Sequence, residues 1–268
     1  GGFSLCYALL AGLGLTLTHG SVNAINDYFD YKSGIDLNVE RTSFSGGSGL
    51  VPEGKISLNQ ALLVGVVTSL AALVIGIFFV VKSGWMLIPL IAVAALFMIL
   101  YTPVILKTPR PEWSPGFALG ILPIMGLYFV QACEYNPIVL IASIPSGFMV
   151  HNLLLLNEFP DVEADRAGGR KTTPVMYGMD HAVRVFTGVT IAVYVWIAGC
   201  VAVTLVTGHV VMPVYCLVSF LSLPAAIKAV RGSRHYGNRE KLLPAMKSNV
   251  DFIMLTHVLL GIGYIAAG

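Results

Sequence analysis

The sequence is poor in charged residues. Only 11% of its 268 residues are Asp, Glu, Lys or Arg, against roughly a quarter in ordinary soluble domains. Hydrophobic residues make up 56% of the chain, and the mean hydropathy is +0.80. The net charge of +2 gives no indication of a nucleic-acid partner. These values exclude an ordinary soluble domain and favour an integral membrane protein.

Cysteine is also scarce, and its spacing excludes a thiolate metal cluster. The four cysteines, Cys6, Cys133, Cys200 and Cys216, are widely separated. All but Cys133 lie inside apolar segments. Metal-binding cysteines recur at short spacings, which are absent from this sequence. We therefore expect these side chains to be small buried hydrophobes.

Long apolar segments recur along the whole chain. Each is close to the roughly 20 residues that an α-helix needs to cross a bilayer, and each is too continuously apolar for a barrel strand. Because a chain in lipid must satisfy its backbone hydrogen bonds internally, helices are the remaining choice. The predicted fold is an all-α polytopic transmembrane helix bundle, a single domain over residues 1–268. Its eight expected spans are 3–26, 58–81, 85–101, 115–132, 138–157, 181–206, 211–231 and 248–267.

The basic residues predict which connections face the cytoplasm. Fifteen of the 16 Lys and Arg residues lie in or beside the connections after spans one, three, five and seven, with Lys82 the exception. Positive charge accumulates on the cytoplasmic side of membrane proteins. Residue 1 would then lie outside, so we expect a further helix before Gly1 and nine in the complete protein. The alternative is an eight-helix protein with an external N-terminus.

Acidic residues gather in two of these connections, in the stretches NDYFDYKSGID (residues 26–36) and DVEADRAGG (residues 161–169). Asn26 and Asp30 are four residues apart, as are Asp161 and Asp165, so each pair shares one helix face. The motif-bearing helices, about 3–30 and 138–165, are four spans apart, which indicates a four-helix internal repeat. Repeat interfaces are where membrane proteins often build polar sites.

Two acidic helix ends on the same side of the membrane predict a magnesium–diphosphate site. Facing carboxylates repel one another, and a hard divalent cation removes that repulsion. Mg²⁺ is usually held by a few carboxylates and completes its coordination with water and substrate phosphate. Each Asp alone is equally well explained as a solvated helix cap; the repeat favours the metal site. The candidate diphosphate-binding residues are the basic ones on that side: Arg41, Lys107, Arg166, Arg170 and Lys171.

The loop after the first acidic stretch is rich in glycine and serine. Arg41 precedes TSFSGGSG (residues 42–49), whose amides suit a phosphate but equally suit a flexible connection. We expect residues 36–54 to be mobile until magnesium and donor bind, and then to exclude water.

Two tyrosines and two asparagines are candidates for the substrate pocket. Tyr101 and Tyr128 would line the path of a cationic prenyl group by cation–π attraction, although interfacial or core tyrosine is the alternative. Asn23 and Asn157 stand about one turn before the two acidic stretches and would form the polar end of the same prenyl or acceptor pocket.

The two acidic stretches resemble the aspartate-rich motifs NDxxDxxxD and DxxxD of the UbiA superfamily of intramembrane prenyltransferases. One departure is that the third Asp of the first motif would fall at Gly34, and the next acid is Asp36. That longer spacing, with YTPVILK (residues 101–107) and GLYFVQ (residues 126–131), is similar to the branch that prenylates dihydroxynaphthoate in menaquinone synthesis and to its animal vitamin K relatives.

The resemblance implies Mg²⁺-dependent transfer of a prenyl group from an isoprenyl diphosphate to an aromatic quinone precursor, through an allylic cation. It implies that Mg²⁺ bridges the diphosphate to Asn26, Asp30, Asp161 and Asp165, with Asp27 and Asp36 near. The enzyme would lie in the cell membrane among lipids, with its active site toward the cytoplasm, and would take a lipophilic or aromatic acceptor but no nucleic acid.

Other functions stay open at this point. The acceptor could instead be a glyceryl phosphate lipid, as in archaeal ether lipids, or another aromatic ring. A cation-coupled transporter also carries intramembrane acids, but near the midplane and not at helix ends. A CDP-alcohol phosphotransferase would carry a run beginning D-G-x-x-A-R, which this sequence lacks.

Overall fold

The computed structural model describes residues 2–37, 39 and 41–268. Gly1, and the helix expected before it, lie outside the described residues. Two 3₁₀ turns, Ile35–Leu37 and Ile105–Lys107, stand in the connections. The helices within the described part are α1 (Leu5–Ser33), α2 (Leu58–Ser83), α3 (Trp85–Leu100), α4 (Trp113–Ala132), α5 (Pro137–Asn157), α6 (Val162–Ala167), α7 (Thr173–Tyr177), α8 (Met179–Thr207), α9 (Val214–Ser233) and α10 (Arg239–Ala266).

All eight predicted apolar segments are helical, but one is too short to count as a membrane span. Seven helices in the described residues are long and apolar enough to cross a membrane: α1, α2, α4, α5, α8, α9 and α10. The predicted third span is α3, which falls short of 18 residues. At 1.5 Å per residue it spans less than the roughly 30 Å of a hydrocarbon core. The eight predicted spans are therefore corrected to seven spans and one shorter apolar helix, in a polytopic integral membrane protein.

The end of α1 explains the unusual spacing of the first acidic stretch. Gly34 has φ 82° in the left-handed region, and its N–H donates to the carbonyl of Tyr31 at 3.1 Å. Glycine adopts this conformation without the steric cost that a side chain brings, and so ends the helix. Asp36 consequently lies beyond α1, in the 3₁₀ turn Ile35–Leu37, where it folds back beside Asp27 and Asp30.

The second motif-bearing helix, predicted over 138–165, is not continuous but is divided by a turn before Asp161. The α5 helix ends at Asn157, and a turn that contains Pro160 leads to Asp161, which precedes α6. Proline disfavours helical backbone in the residue before it, which explains the break. The one-turn spacing survives, because the Asp165 N–H donates to the Asp161 carbonyl at 2.8 Å.

Close contact between α4 and α5 positions the second acidic stretch. The α4 segment Gly116–Ile121 winds as a π-helix, which occurs often at functional sites. A Cβ on Gly120 would lie 2.7 Å from the Cα of Gly147, so only glycine fits there. The buried core continues from α5 into α8, α9 and α10 through Met149, Ile197 and Phe252. The connections after α1, α3, α5 and α9 consequently meet at one end of the bundle.

Two of the four cysteines differ from the expectation of burial. Cys200 and Cys216 are buried, whereas Cys6 and Cys133 are exposed because they lie at the ends of α1 and α4, away from the core.

Candidate active site

Five aspartates from the two acidic stretches converge at that end of the bundle. Asp27 and Asp30 come from α1, and Asp36 from the following turn; all three are buried. Asp161 and the buried Asp165 come from the connection after α5. Both stretches face a common polar cavity of about 250 Å³, so the structure brings together the carboxylates that the sequence predicts as metal ligands.

Arg170 joins the two acidic stretches. Its Nη2 donates to both carboxylate oxygens of Asp30, and its Nη1 donates to Asp165 Oδ1 at 2.9 Å. The side chain is only 15% exposed. Burial alone would lower the pKa of Arg170, but the carboxylates of Asp30 and Asp165 outweigh it and raise the pKa above its usual value. The guanidinium is therefore a permanent cation between the two acidic stretches, and it bonds to an aspartate 140 positions away in the chain.

Two of the five aspartates keep oxygens without a donor. Asp36 Oδ2 and Asp161 Oδ1 are buried and meet no hydrogen-bond donor in the described part of the chain. Burial, and then the Asp30 and Asp27 charges, raise the pKa of Asp36 to about 7. Burial, and then Asp165, raise the pKa of Asp161 to about 7. Each group is thus about half protonated near pH 7, and an approaching cation would favour its ionised form.

The donor set of this cluster fits a hard divalent cation. It consists of carboxylate and amide oxygens, the ligands that Mg²⁺ prefers. The buried oxygens of Asp36 and Asp161 without donors are available to coordinate it. Among the residues that the structure describes, however, no three acidic, histidine or cysteine side chains are already grouped at metal-binding distances. Asp30 and Asp165 hold Arg170, so these side chains would have to rearrange to hold a metal ion.

Asn26 is oriented by hydrogen bonds on both sides of its amide. Its Nδ2 donates to Asp30 Oδ2 at 2.8 Å, so the predicted i,i+4 pair is in direct contact. Its Oδ1 accepts a hydrogen bond from Thr102 Oγ1 at 3.0 Å. Thr102 follows Tyr101 at the end of α3 and was not a predicted site residue. Its role depends on a contact between residues 76 positions apart, which sequence spacing does not reveal.

A second pair of acids lies beside the cluster. Glu158 and Glu112 are both buried, and Glu112 Oε1 accepts a hydrogen bond from the backbone N–H of Thr173. Glu112 Oε2 and both oxygens of Glu158 meet no donor within the described residues. Burial, and then the adjacent Glu112, raise the pKa of Glu158 well above its usual value. Neither glutamate was a predicted site residue; the signal in the sequence was their position, since Glu158 directly follows the predicted span 138–157 and Glu112 stands three residues before the span 115–132.

The cluster opens into a large apolar cavity of about 1230 Å³. The cavity extends between α1, α2, α3 and α4, past side chains such as Leu73, Ile91 and Leu122. The predicted pocket residues Asn23, Tyr101 and Asn157 border both the polar and the apolar cavity, as does the predicted metal ligand Asn26. The acidic cluster is therefore the polar end of a large apolar cavity.

The glycine-serine loop lies over the cluster. The Ser48 hydroxyl and N–H donate to the carboxylate of Asp27, and Arg41 Nη2 donates to the Asp36 carbonyl at 2.9 Å. Phe44 packs against the hydrophobic cluster that contains Leu155 and Phe159. These contacts hold the described part of the loop against the cluster, and its predicted mobility before ligand binding stays a prediction.

The remaining predicted basic residues point away from the cluster. Arg166 is exposed and pairs with Glu163 at 2.9 Å. Lys107 and Lys171 are exposed, and their side chains border neither of the two cavities described. The backbone of Lys171 does connect the site's loops, because its N–H donates to the carbonyl of Leu106 at 3.2 Å and its carbonyl accepts from Arg110. Of the predicted diphosphate-binding residues, the structure therefore places Arg170 in the cluster and Arg41 beside Asp36.

Tyr128 lies at the opposite end of the bundle from the acidic cluster. Its hydroxyl donates to Glu134 at 3.2 Å, and it borders neither cavity. The neighbouring Gln131 bonds to Ser4, at the start of α1. Of the two tyrosines predicted for the prenyl pocket, the structure places only Tyr101 there.

The fold and the site together define a class: a polytopic membrane protein with a paired acidic site at the mouth of an intramembrane apolar cavity. The model of the UbiA prenyltransferase family matches residues 1–249. The chain belongs to the UbiA prenyltransferase family and is a prenyltransferase that uses an isoprenyl diphosphate as donor.

Curated relatives of this chain act on different acceptors. It is 28% identical over 246 residues to 1,4-dihydroxy-2-naphthoate octaprenyltransferase of Bacillus subtilis, covering 91% of this chain and 76% of that protein. It is also 28% identical over 235 residues to digeranylgeranylglyceryl phosphate synthase of Methanothermobacter thermautotrophicus, covering 84% and 74%.

Solved structures share the fold at lower sequence identity. One structure, from work on the biosynthesis of digeranylgeranylglyceryl phosphate synthase in membranes, superposes with a TM-score of 0.62 and 20% sequence identity. The match covers 98% of this chain and 88% of that one. The structure of a UbiA homolog from Archaeoglobus fulgidus, bound to DMAPP and Mg²⁺, superposes with a TM-score of 0.60 and 15% sequence identity. The match covers 97% of this chain and 89% of that one.

Proposed function

We propose that this protein transfers a prenyl group to an aromatic quinone precursor in a Mg²⁺-dependent reaction at the cytoplasmic side of the membrane. The observation that carries the proposal is the junction of the two cavities, where Asn23, Asn26, Tyr101 and Asn157 border both. An isoprenyl diphosphate placed there has its charged end among the aspartates and its hydrocarbon in the apolar cavity. The bond between the two then lies at the junction.

The chain's own residues prepare the leaving group. Asp30, Asp161 and Asp165 would hold the metal, with Asn26, Asp27 and Asp36 beside them, and Arg170 would bind the diphosphate. When bound, Mg²⁺ neutralises the charge that develops on the departing diphosphate. The guanidinium of Arg170, buried among carboxylates, adds a preorganised positive charge at the same end.

The allylic C–O bond breaks, its electron pair goes to the diphosphate, and the prenyl carbon becomes cationic. A ring carbon of the acceptor then donates an electron pair to form the new C–C bond, and the proton on that carbon is released. Tyr101 borders the junction, where its ring face would stabilise the cation. The loop over Asp27 would exclude water, which otherwise captures the cation as an alcohol.

The Bacillus relative supports an aromatic acceptor, since its match extends over 91% of this chain. Three relatives that are digeranylgeranylglyceryl phosphate synthases, the Methanothermobacter protein among them, favour a second candidate acceptor. It is a glyceryl phosphate lipid that attacks through a hydroxyl oxygen. Both acceptors fit the same donor site. They differ in charge, because a phosphate headgroup would need a cation in addition to those that bind the diphosphate.

The test incubates the purified protein with geranylgeranyl diphosphate and either 1,4-dihydroxy-2-naphthoate or geranylgeranylglyceryl phosphate, with and without Mg²⁺. Mass spectrometry identifies the product, and a coupled assay measures released diphosphate. We expect Mg²⁺-dependent product with the naphthoate and little with the glyceryl phosphate. The opposite preference would select the second candidate. If neither acceptor stimulates Mg²⁺-dependent release of diphosphate, a different acceptor class is required.

A further inference from the structure

A cation already bridges the two acidic stretches. The guanidinium of Arg170 bonds to both oxygens of Asp30 and to one oxygen of Asp165. Both carboxylates are almost fully buried, with 4% and 1% exposure. These are the same groups that the proposed function assigns to the metal. A positive guanidinium and a divalent cation repel each other, so both cannot bind these oxygens closely at the same time.

A receiving group for the guanidinium lies in the same cavity. Glu158 and Arg170 both border the polar cavity of about 250 Å³. Both carboxylate oxygens of Glu158 are buried and meet no donor among the described residues. A buried carboxylate without donors is costly, and an arriving guanidinium would satisfy it. The neighbouring Glu112 is held in place by the N–H of Thr173, while Glu158 stays without a donor in the described structure.

We propose that Arg170 stands in for the metal between the two acidic stretches, and that Glu158 receives its guanidinium when Mg²⁺ enters with the diphosphate. The inference rests on the proposed Mg²⁺-dependent function. Arg170 would then hold Asp30 and Asp165 in register in the metal-free enzyme. It would release these two carboxylates only when the incoming diphosphate, together with Glu158, offers it negative charge. The metal alone would bind weakly, and metal with diphosphate would bind tightly.

The experiment measures cation binding to the full chain in detergent, with Mn²⁺ as an electron paramagnetic resonance probe and inorganic pyrophosphate as the diphosphate. For the unmodified chain we expect weak Mn²⁺ binding that pyrophosphate tightens at least tenfold. Arg170→Met should tighten Mn²⁺ binding without pyrophosphate at least tenfold and reduce the effect of pyrophosphate. Arg184→Met removes an exposed arginine from α8 with the same change of charge, and should shift Mn²⁺ binding less than twofold.

The variant Glu158→Gln tests the second half of the proposal. It keeps the shape of the side chain but removes the charge that would receive Arg170. We expect it to reduce the pyrophosphate effect at least fivefold in the presence of Arg170, and to have little effect in the Arg170→Met background. This dependence on background is the coupling that a double-mutant cycle measures. An equal effect in both backgrounds would instead make Glu158 a ligand or a packing residue.

Unchanged or weaker Mn²⁺ binding in Arg170→Met would overturn the proposal and leave Arg170 as a structural cross-link. If this variant does not fold, Arg170→Lys replaces it, because one ammonium cannot form the forked contacts to Asp30 and Asp165 together. The expected result is then a several-fold tighter binding, and no change would again overturn the proposal. These titrations use neither prenyl donor nor acceptor, so their outcome is independent of whether the protein prenylates the proposed acceptor.

Discussion

Asp161→Asn should separate catalysis from stability at the active site. Asp161 carries a buried oxygen that finds no donor in the described structure, whereas its neighbour Asp165 is bonded to Arg170. Asparagine has nearly the same shape as aspartate and no charge. We therefore expect this variant to lose nearly all Mg²⁺-dependent turnover, because it removes a metal ligand, and yet to be more stable than the unmodified chain at alkaline pH.

The size of the stability effect follows from the raised pKa of Asp161. Burial, and then Asp165, raise the pKa from 3.8 to about 7. The unfolded chain therefore releases this proton near pH 4, but the folded chain retains it until about pH 7. Folding stability falls as pH rises through that window, and the penalty is complete above it. At 1.36 kcal/mol per unit, its upper limit is about 4 kcal/mol.

The assay is thermal unfolding in detergent with a chelator, at pH 4 and pH 8, together with diphosphate release in the presence of Mg²⁺. Asp161→Asn should be stabilised at pH 8 and match the unmodified chain at pH 4. Asp165→Asn is the control, because it takes a partner from the buried Arg170 and should lower the unfolding midpoint at pH 8. A destabilised Asp161→Asn at pH 8, or near-normal turnover, would refute the reasoning.

Three further predictions concern protons, topology and packing. The pKa of Asp36 is also raised to about 7, so Mg²⁺ binding at pH 7 should release about one proton in total from Asp36 and Asp161. Calorimetry in buffers of different ionisation enthalpy measures this release, and its absence would contradict the prediction. In a cysteine-free background, Lys82→Cys and Arg234→Cys, both exposed, should react with impermeant thiol reagents from opposite sides of the membrane, and labelling from one side would overturn the topology. Gly120→Ala should lower the unfolding midpoint because its Cβ would meet the α5 backbone at 2.7 Å, whereas Gly188→Ala, with open space in the described structure, should not.

The sequence predicted the helices well because each depends on its own composition. A run of apolar residues forms a helix in lipid whatever its neighbours do, so all eight segments appear where expected. The i,i+4 pair of Asn26 and Asp30 was equally predictable, since a helix brings such residues together by its own geometry. The one correction to the spans, α3, arises because the predicted segment 85–101 was itself short, and the helix over Trp85–Leu100 falls below the length that a membrane span needs.

The contacts that define the site depend on packing between distant segments. Arg170 and Asp30 are 140 residues apart, and Glu112 and Thr173 are 61 apart. The sequence places the five candidate diphosphate-binding residues on the same side of the membrane. The direction of each side chain decides which of them reaches the cluster. Arg166 and Arg170 are one turn apart in number, yet Arg166 pairs with Glu163 at the surface because the α6 helix ends between them.

Gly47 provides a test of whether the glycine-serine loop belongs to the active site. It has φ +69°, and a Cβ at this position would lie 3.1 Å from Asp36 Oδ1 and 3.2 Å from Asp27 Oδ1. A methyl group there would take the space of a metal-bound water or phosphate oxygen. Gly54 is the matched control, because it has φ +68° but a Cβ there would meet nothing within 4 Å in the described structure.

Alanine at either glycine imposes a similar backbone cost, of about 1 kcal/mol, because both occupy the left-handed region. A difference between the two variants therefore reports on the carboxylates and not on strain. We expect Gly47→Ala to raise the KM for Mg²⁺ and for the prenyl donor several-fold, and to increase the fraction of prenyl alcohol as the loop closes less well over the cation. Gly54→Ala should lower the unfolding midpoint to a similar extent and leave the ratio of alcohol to prenylated acceptor unchanged. If both variants behave alike in product ratio and in Mg²⁺ dependence, the loop is a connection held near the aspartates by Ser48 and Arg41, and water is excluded by the apolar cavity itself.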